Sequence, residues 1–456
     1  MFRQLWIMFS KAREYARNEK LTFEQFEAAK LAKFRRLVRH AVARSPYYAD
    51  LVREHGIDVE RCLPAHFPVL TKTQLLTHFD CIATDPRITR AAITDFLMRS
   101  SDPAELFLDE FQVIHTSGSS GQVGYFVFSS DDWLRGMMQR IRTKPTKAAP
   151  GKLRVMFYGA AGGHYAGVSM ASLGKRGINR LLVEVDYCEI NTPLPEVIAK
   201  LNAYQPDLIA GYATALKMLA RKQEEGVLGI APLRIEAGGE TITEADRVYL
   251  KSVFHCDVYN IYACSEHLMM GVSLPGSAQM TLYDDDLIYE CHDDHLIVTN
   301  LFNFTLPLIR YRMSDMLRPL PRKSGAPPYL VVDNLVGRTE MTPTFVNRDG
   351  SEDFISPHTI NEIFVSGVAR FQLRLRSKTH FAFHVCLDPV TGVTQAEIVR
   401  NVEVRLKDIL AQKRMSNVTF EILVVDDLPL DRVTRKFQLI VDETRTESSD
   451  STLARV

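Results

Sequence analysis

The sequence predicts an α/β protein: a large N-terminal domain of α/β layers with a barrel-like β portion, then a small α+β domain at the C-terminus. Three observations carry this. Between residues 153 and 262, short apolar runs alternate with amphipathic stretches of helical length, the pattern of strands joined by crossover helices in a largely parallel sheet. From Gln279 the style changes to short strands and tight turns. Beyond Gly337-Arg338 comes a strand, strand, helix, strand series large enough to hold its own core. The boundary is therefore set at 338/339, with residues 1–110 a mainly helical lead-in to the first domain.

Taken in order, Phe23, Phe26, Phe34, Leu37, Val38 and Ala41 fall at helical spacing between Leu21 and His55, with Lys and Arg on much of the other face. Ser45-Pro46 breaks that helix, and a second runs to Gly56. Thr71 or Thr73 caps a further helix after Phe67-Pro68-Val69-Leu70. Asp131–Thr143 reads as a helix and Leu153–Tyr158 as a buried strand. Helix–strand pairs follow at Ser169–Lys175 and Arg180–Val185, Pro193–Tyr204 and Leu208–Ala210, Ala213–Glu225 and Arg234–Ala237, and Glu244–Phe254 and Asp257–Tyr262. Then come strands at Ile288–Cys291, Leu296–Leu301 and Leu308–Tyr311, an antiparallel or barrel-like piece. The last domain has strands at Arg370–Arg376 and Phe381–Leu387, a helix over Gln395–Gln412 and a strand over Asn417–Val425. The polar tail from Arg445 reads as disordered.

Composition narrows the function. With 55 basic and 55 acidic residues the formal charge is zero, which argues against nucleic acid as the main partner. Seven scattered cysteines without C-x-x-C spacing suit reduced thiols in a cytoplasm. No apolar run is long enough for membrane insertion. Cys264, His267, Cys291, His292 and His295 invite a zinc reading, but only His292-x-x-His295 approaches ligand spacing.

Chemistry concentrates in short motifs. His115 to Gly124 places Thr116, Ser117, Gly118, Ser119, Ser120 and Gly121 between two apolar runs. Glycines let backbone N–H groups turn toward an anion and hydroxyls add donors, a combination suited to polyphosphate. The loop is neither a Walker loop nor a dinucleotide fingerprint, and alone it reads equally as a plain hairpin loop. Downstream come Ala237-Gly238-Gly239-Glu240-Thr241, Tyr259 to Glu266, Tyr311-Arg312-Met313-Ser314-Asp315, Gly337-Arg338-Thr339-Glu340, and Lys436 within Asp431–Phe437.

The order and spacing of these motifs resemble the adenylate-forming enzymes: acyl-CoA synthetases, adenylation domains and luciferases. The helical N-terminus with Ser45-Pro46-Tyr47-Tyr48 and Phe67 to Lys72 resembles the phenylacetate–CoA ligase-like branch. The resemblance runs from about residue 20 to Asp442. It implies that Thr116–Gly124 holds the β- and γ-phosphates of ATP, and that Gly238, Gly239 and Glu240 line the adenine side. Tyr262 would stack near the base, Glu266 would bind Mg²⁺, and Asp315 would take the ribose hydroxyls. Arg338 would contact ribose or phosphate, Glu340 would be the hinge of a mobile C-terminal lid, and Lys436 would bridge the substrate carboxylate and the α-phosphate. Tyr158, Gly163, His164, Tyr165 and Gly211 are placed along the acid pocket, although Gly159–Gly167 reads equally well as a tight loop with a satisfied histidine. Gln122 stands where the family loop usually has lysine, and Arg435 where glycine is common.

The implied activity is an ATP-dependent carboxylic acid–CoA ligase that forms an acyl-AMP from an aromatic or small hydrophobic acid and passes it to coenzyme A. Relatives that use an amine or a carrier protein as acceptor, and a catalytically silent nucleotide-binding homologue, are the alternatives. A homodimer is compatible with the sequence, which does not fix the oligomeric state.

Overall fold

The computed structural model describes residues 2–116, 123–143, 151–175, 179–323, 325–333, 341–363, 365–388, 392–428 and 437–444. Ser117–Gly121, Gln122, Arg338, Glu340 and Lys436 therefore lie outside the described residues, as does the tail from Arg445.

Two long helices open the chain, α1 (Phe2–Asn18) and α2 (Phe23–Arg44). The second begins with a reciprocal cap, Thr22 and Gln25 each bonding the other's backbone N–H. It buries the stripe Phe26, Phe34, Leu37, Val38 and Ala41. The first was not legible as an amphipathic helix, because its buried stripe is Ile7, Lys11, Tyr15 and Asn18, half of it polar. Ser45 ends α2 and caps the next helix, Pro46–His55, which stops at Gly56 with φ +60°. Thr71, rather than Thr73, caps the short helix Lys72–Thr77.

Strands β1 (Phe111–His115) and β2 (Tyr125–Ser129) form an antiparallel hairpin. Next come β3 (Leu153–Gly159), β4 (Val183–Glu189), β5 (Leu208–Gly211), β6 (Arg234–Gly238), β7 (Asp257–Cys264), β8 (Leu268–Ser273) and β9 (Gln279–Leu282). With β10 (Leu287–Cys291), β11 (Leu296–Asn300), β12 (Tyr311–Met313) and β13 (Val331–Asp333) they make two sheets. The large one has the order β13-β9-β8-β7-β6-β5-β3-β4, parallel from β4 to β7 and antiparallel from β7 to β13. Helices Leu194–Tyr204, Ala213–Glu224 and Glu244–Phe254 make the crossovers between the parallel strands. The expected strand at Arg180–Val185 begins three residues later, since Asn179–Leu182 is a helical turn. Of the stretch read as barrel-like from Gln279, β9 joins the large sheet and β10-β11-β12 form an antiparallel trio, with β12 beginning at Tyr311 rather than Leu308. The C-terminal residues have a four-stranded sheet backed by the helix Gln395–Gln412, whose buried stripe is Ile398, Val402, Leu406 and Leu410. Among the described residues most of their buried apolar side chains form a cluster of their own, while Phe354 joins the cluster beneath the crossover helices.

A buried charge network ties the N-terminal helices to the turn before β10. Asp286 accepts from Lys11 Nζ at 2.6 Å, Tyr15 Oη at 2.8 Å, Lys33 Nζ at 2.9 Å and Gln139 Nε2 at 3.0 Å. Asp285 pairs with Arg142 and accepts from Asn18 Nδ2 at 2.6 Å, while Lys30 lies 3.6 Å from Asp284. Burial would raise the Asp286 carboxyl, but Lys11 and Lys33 overcome it and hold it far below the usual range. Asp284, where burial outweighs Lys30 and the N–H of Leu330 at 3.3 Å, is pushed up to about 7.

That difference sets a pH dependence. A carboxyl with a folded pKa near 7 keeps a proton that the unfolded chain releases near pH 4. Its contribution is full below pH 4 and is lost as pH rises through 7. Asp284→Asn is therefore expected to match wild type near pH 4 and to exceed it at pH 8, by on the order of 2–4 kcal/mol. Urea unfolding at both pH values measures this; an equal difference at the two values would show that Asp284 stays ionised.

Candidate active site

A cavity of about 560 Å³ opens over the C-terminal ends of the parallel strands, the place where open α/β sheets put ligands. Strand pleating decides which residues reach it. Phe157, Ala210 and Glu236 lie side by side on β3, β5 and β6 and face the cavity. Their sequence neighbours Tyr158, Ile235 and Ala237 point to the opposite face, into the core beneath the crossover helices. Gly238, Gly239 and Gly211 complete the upper wall. Glycine is obligatory at 211, where a Cβ would sit 2.3 Å from the Tyr158 carbonyl oxygen. At 239, φ is +74° and a Cβ would meet the Tyr212 ring at 2.8 Å.

The hairpin supplies a second wall. Thr116 N–H donates to Gly124 O at 2.9 Å, and Gly124 N–H donates to Thr116 Oγ1 at 2.8 Å, which ties together the two ends of the Ser/Gly loop. His115 lines the cavity beside Tyr165, ring centroids 4.4 Å apart, and burial lowers its imidazole below the ordinary value.

The third wall is acidic. Glu266 and Asp315 both line the cavity. Burial raises the Glu266 carboxyl, with Lys72 pulling the other way, and burial likewise raises Asp315. Lys72, lowered by burial and sustained by Glu266, passes close to Gly124, where a Cβ would lie 3.3 Å from its Cε. It therefore stands between the end of the polar loop and the Glu266 carboxylate. From the C-terminal residues comes His358, 4.6 Å from Tyr212 between ring centroids.

Of the residues singled out in the sequence, the structure brings Thr116, Tyr165, Gly211, Gly238, Gly239, Glu266 and Asp315 to this one cavity. Five others are placed off its wall. Tyr158 is fully buried on the far face of the sheet. His164 is fully buried, its Nε2 3.0 Å from Ser100 Oγ and its ring against Phe96; burial lowers it to about 4. Glu240 accepts from Thr214 N–H at 2.9 Å and Thr214 Oγ1 at 2.7 Å, and Ser356 Oγ donates to it at 3.3 Å. Tyr262 is buried behind the wall with Asp315 as its nearest charge. Gly163 lies beside His115 without lining the cavity.

Sequence reasoning missed Lys72, Arg140, Glu236 and His358, all of which line the cavity. Among the described residues no three His, Cys, Asp or Glu side chains are arranged as metal ligands. Cys264 Sγ faces Met270 Sδ at 3.4 Å, His267 is buried near Tyr311, and His292 stacks on His295 at a surface turn. Nor, among the described residues, is any helix long and apolar enough to cross a membrane.

No protein-family model matches the chain. Among curated proteins it is 21% identical over 310 residues to protein CapK of Staphylococcus aureus, covering 62% of this chain and 61% of that one. To phenylacetate-coenzyme A ligase of Aromatoleum evansii it is 24% identical over 334 residues, 66% of this chain and 68% of that one. The matches thus span about three fifths and two thirds of those relatives. Among solved structures it superposes on 2-hydroxyisobutyryl-CoA ligase. With that enzyme bound to 2-HIB-AMP and CoA in its thioesterification state, the TM-score is 0.59 at 17% identity, over 96% of this chain and 94% of that one. With the postadenylation state bound to R3-HIB-AMP it is 0.55 at 16% identity, over 96% and 93%. The chain thus has the fold of the adenylate-forming acid–CoA ligases, and its sequence likeness runs toward their phenylacetate–CoA ligase-like branch.

Proposed function

We propose that this protein is an ATP-dependent, AMP-forming carboxylic acid–CoA ligase. The observation that carries the reading is the convergence of Thr116, Gly238, Gly239, Glu266 and Asp315, from four separate motifs, on one cavity at the strand ends. In the first half-reaction the substrate carboxylate attacks the α-phosphorus of ATP and pyrophosphate leaves. In the second, the thiol of coenzyme A attacks the acyl carbon and AMP leaves. Neither step needs a protein nucleophile; both need charge held in place. Thr116 and the loop after it would cradle the phosphates, with Lys72 adding a cation from a different element than the loop itself. Asp315 would accept from the ribose hydroxyls.

Glu266 offers one hard carboxylate oxygen set beside the phosphate side of the cavity, which fits Mg²⁺ bound through a carboxylate and substrate phosphates. When bound there, the ion would neutralise charge on the phosphates. Residues 339–456 would act as the lid that carries Lys436 in for adenylation, turning about Glu340. The apolar walls, among them Val155, Phe157, Met170 and Met269, suit a small or aromatic acid.

Isotope exchange between pyrophosphate and ATP, dependent on added acid, tests adenylation directly, and thioester formation with free coenzyme A tests the acceptor. Asp315→Ala is expected to weaken ATP binding by about 10–100-fold while the protein stays folded, since a hydrogen bond to a charged group is worth about 1.5–3 kcal/mol. Calorimetric titration with ATP reads this; unchanged affinity in a folded variant would remove Asp315 from the ribose site.

A further inference from the structure

The floor of the cavity is charged, which a pocket for a simple hydrocarbon acid does not require. On β6 the side chains of Arg234 and Glu236 share the face of Gly238, so Glu236 lies about 6.6 Å below the glycine wall, two residues at about 3.3 Å each. Glu236 is 6% exposed and lines the cavity, while Arg234 beneath it is 5% exposed. One Glu236 oxygen lies 2.7 Å from Arg234 Nη2, and the other accepts from Arg140 Nη2 at 2.8 Å. Arg234 is fixed in turn: its Nη1 donates to Thr143 O at 2.6 Å and its guanidinium lies 3.8 Å over the Tyr259 ring.

Two guanidinium groups share one carboxylate, so the trio carries a net positive charge. Arg140 also lines the cavity, and its side chain remains one-third exposed. A guanidinium has five N–H donors, and among the described residues the contact made by this one is to Glu236. Burying charge beside apolar walls costs stability unless the charge is used or fully paired. A donor surplus facing a substrate cavity is matched by an acceptor on the substrate.

Resting on the ligase reading, we propose that the acid activated here carries a second anionic acceptor, a distal carboxylate, at the end away from the reacting carboxyl group. Arg140, positioned by Glu236 and Arg234, is the residue that selects it. The apolar walls then enclose the short carbon chain or ring between the two ends.

The test uses matched pairs of acids that differ only at the far end: hexanoate with adipate, and phenylacetate with 4-carboxyphenylacetate. Acid-dependent pyrophosphate release is measured for wild type, Arg140→Met and Arg140→Lys. Wild type is expected to favour the diacid of each pair by about 100-fold or more in kcat/KM, because a hydrocarbon end leaves the cavity-facing donors of Arg140 without an acceptor on the substrate. Arg140→Met should invert the order, and Arg140→Lys should restore part of the preference for the diacid. Glu236 keeps Arg234 in the Met variant, and circular dichroism checks the fold. A wild-type preference for the hydrocarbon acids, unchanged in Arg140→Met, overturns the distal-carboxylate inference and leaves the ligase reading standing. No pyrophosphate release with any acid, from protein that still binds ATP, overturns the ligase reading and the inference with it.

Discussion

Replacing Lys413 by methionine is expected to destabilise the protein by about 3–5 kcal/mol. Lys413 and Asp353 are both fully buried, with Nζ 3.0 Å from Asp353 Oδ1 and 3.1 Å from Thr192 O. Asp353 Oδ2 accepts from Leu194 N–H at 2.9 Å, and the ammonium lies 4.6 Å from the Phe354 ring centre. Burial lowers the Lys413 ammonium, and Asp353 opposes that shift. Methionine fills the space of the stem but strands Asp353 as an uncompensated buried charge, so the loss comes from the partner left behind. Urea unfolding read by fluorescence measures it. The double variant Lys413→Met, Asp353→Leu should recover most of the stability, since two apolar groups leave no charge to solvate. A single variant within about 1 kcal/mol of wild type would mean that the pair is already wet.

How much of this was legible in the sequence depends on what each residue buries. The crossover helices and parallel strands were readable because their apolar periods are clean, as at Leu194, Val197 and Leu201. Helix α1 was not, because Lys11 and Asn18 occupy the inward stripe and donate to carboxylates some 270 positions away. The motifs led to Thr116, Gly238, Gly239, Glu266 and Asp315, since glycines and acids at strand ends are informative one residue at a time. Tyr158 and Glu240 sit next to such positions but face away, a distinction of one residue in the pleat or one turn of backbone. Arg140 and Glu236 were missed for the opposite reason: an isolated charge in a sequence reads as surface, and only the fold shows the two meeting at the cavity floor.

Lys436→Ala is expected to slow acyl-AMP formation by about 10²–10³-fold, the usual cost of removing one positioned charge from a transition state. Thioester formation from synthetic acyl-AMP should proceed at close to the wild-type rate, because in the proposed cycle the lysine has by then swung away with the lid. The neighbouring Arg435 and Arg432 would be poor replacements, each a broad planar fork where a compact point charge is needed. The two half-reactions are measured separately. An adenylation rate within a few-fold of wild type would assign Lys436 to solvent and leave the C-terminal residues without a part in the first step.

The aspartate network also governs when the N-terminal helices can take their places. Lys11 and Asp286 are 275 positions apart in sequence. A ribosome adding about 5–20 residues per second needs on the order of tens of seconds to cover that interval. Throughout it, Lys11 and Lys33 have emerged with Glu14 beside them, while Asp286, the buried carboxylate they share, has not been made. The inward face of α1 is too polar to dock early on hydrophobicity alone, with Ile7 and Tyr15 as its main apolar contributions. Helix α1 is therefore among the last elements to settle, and the nascent chain must keep it soluble until the turn before β10 arrives.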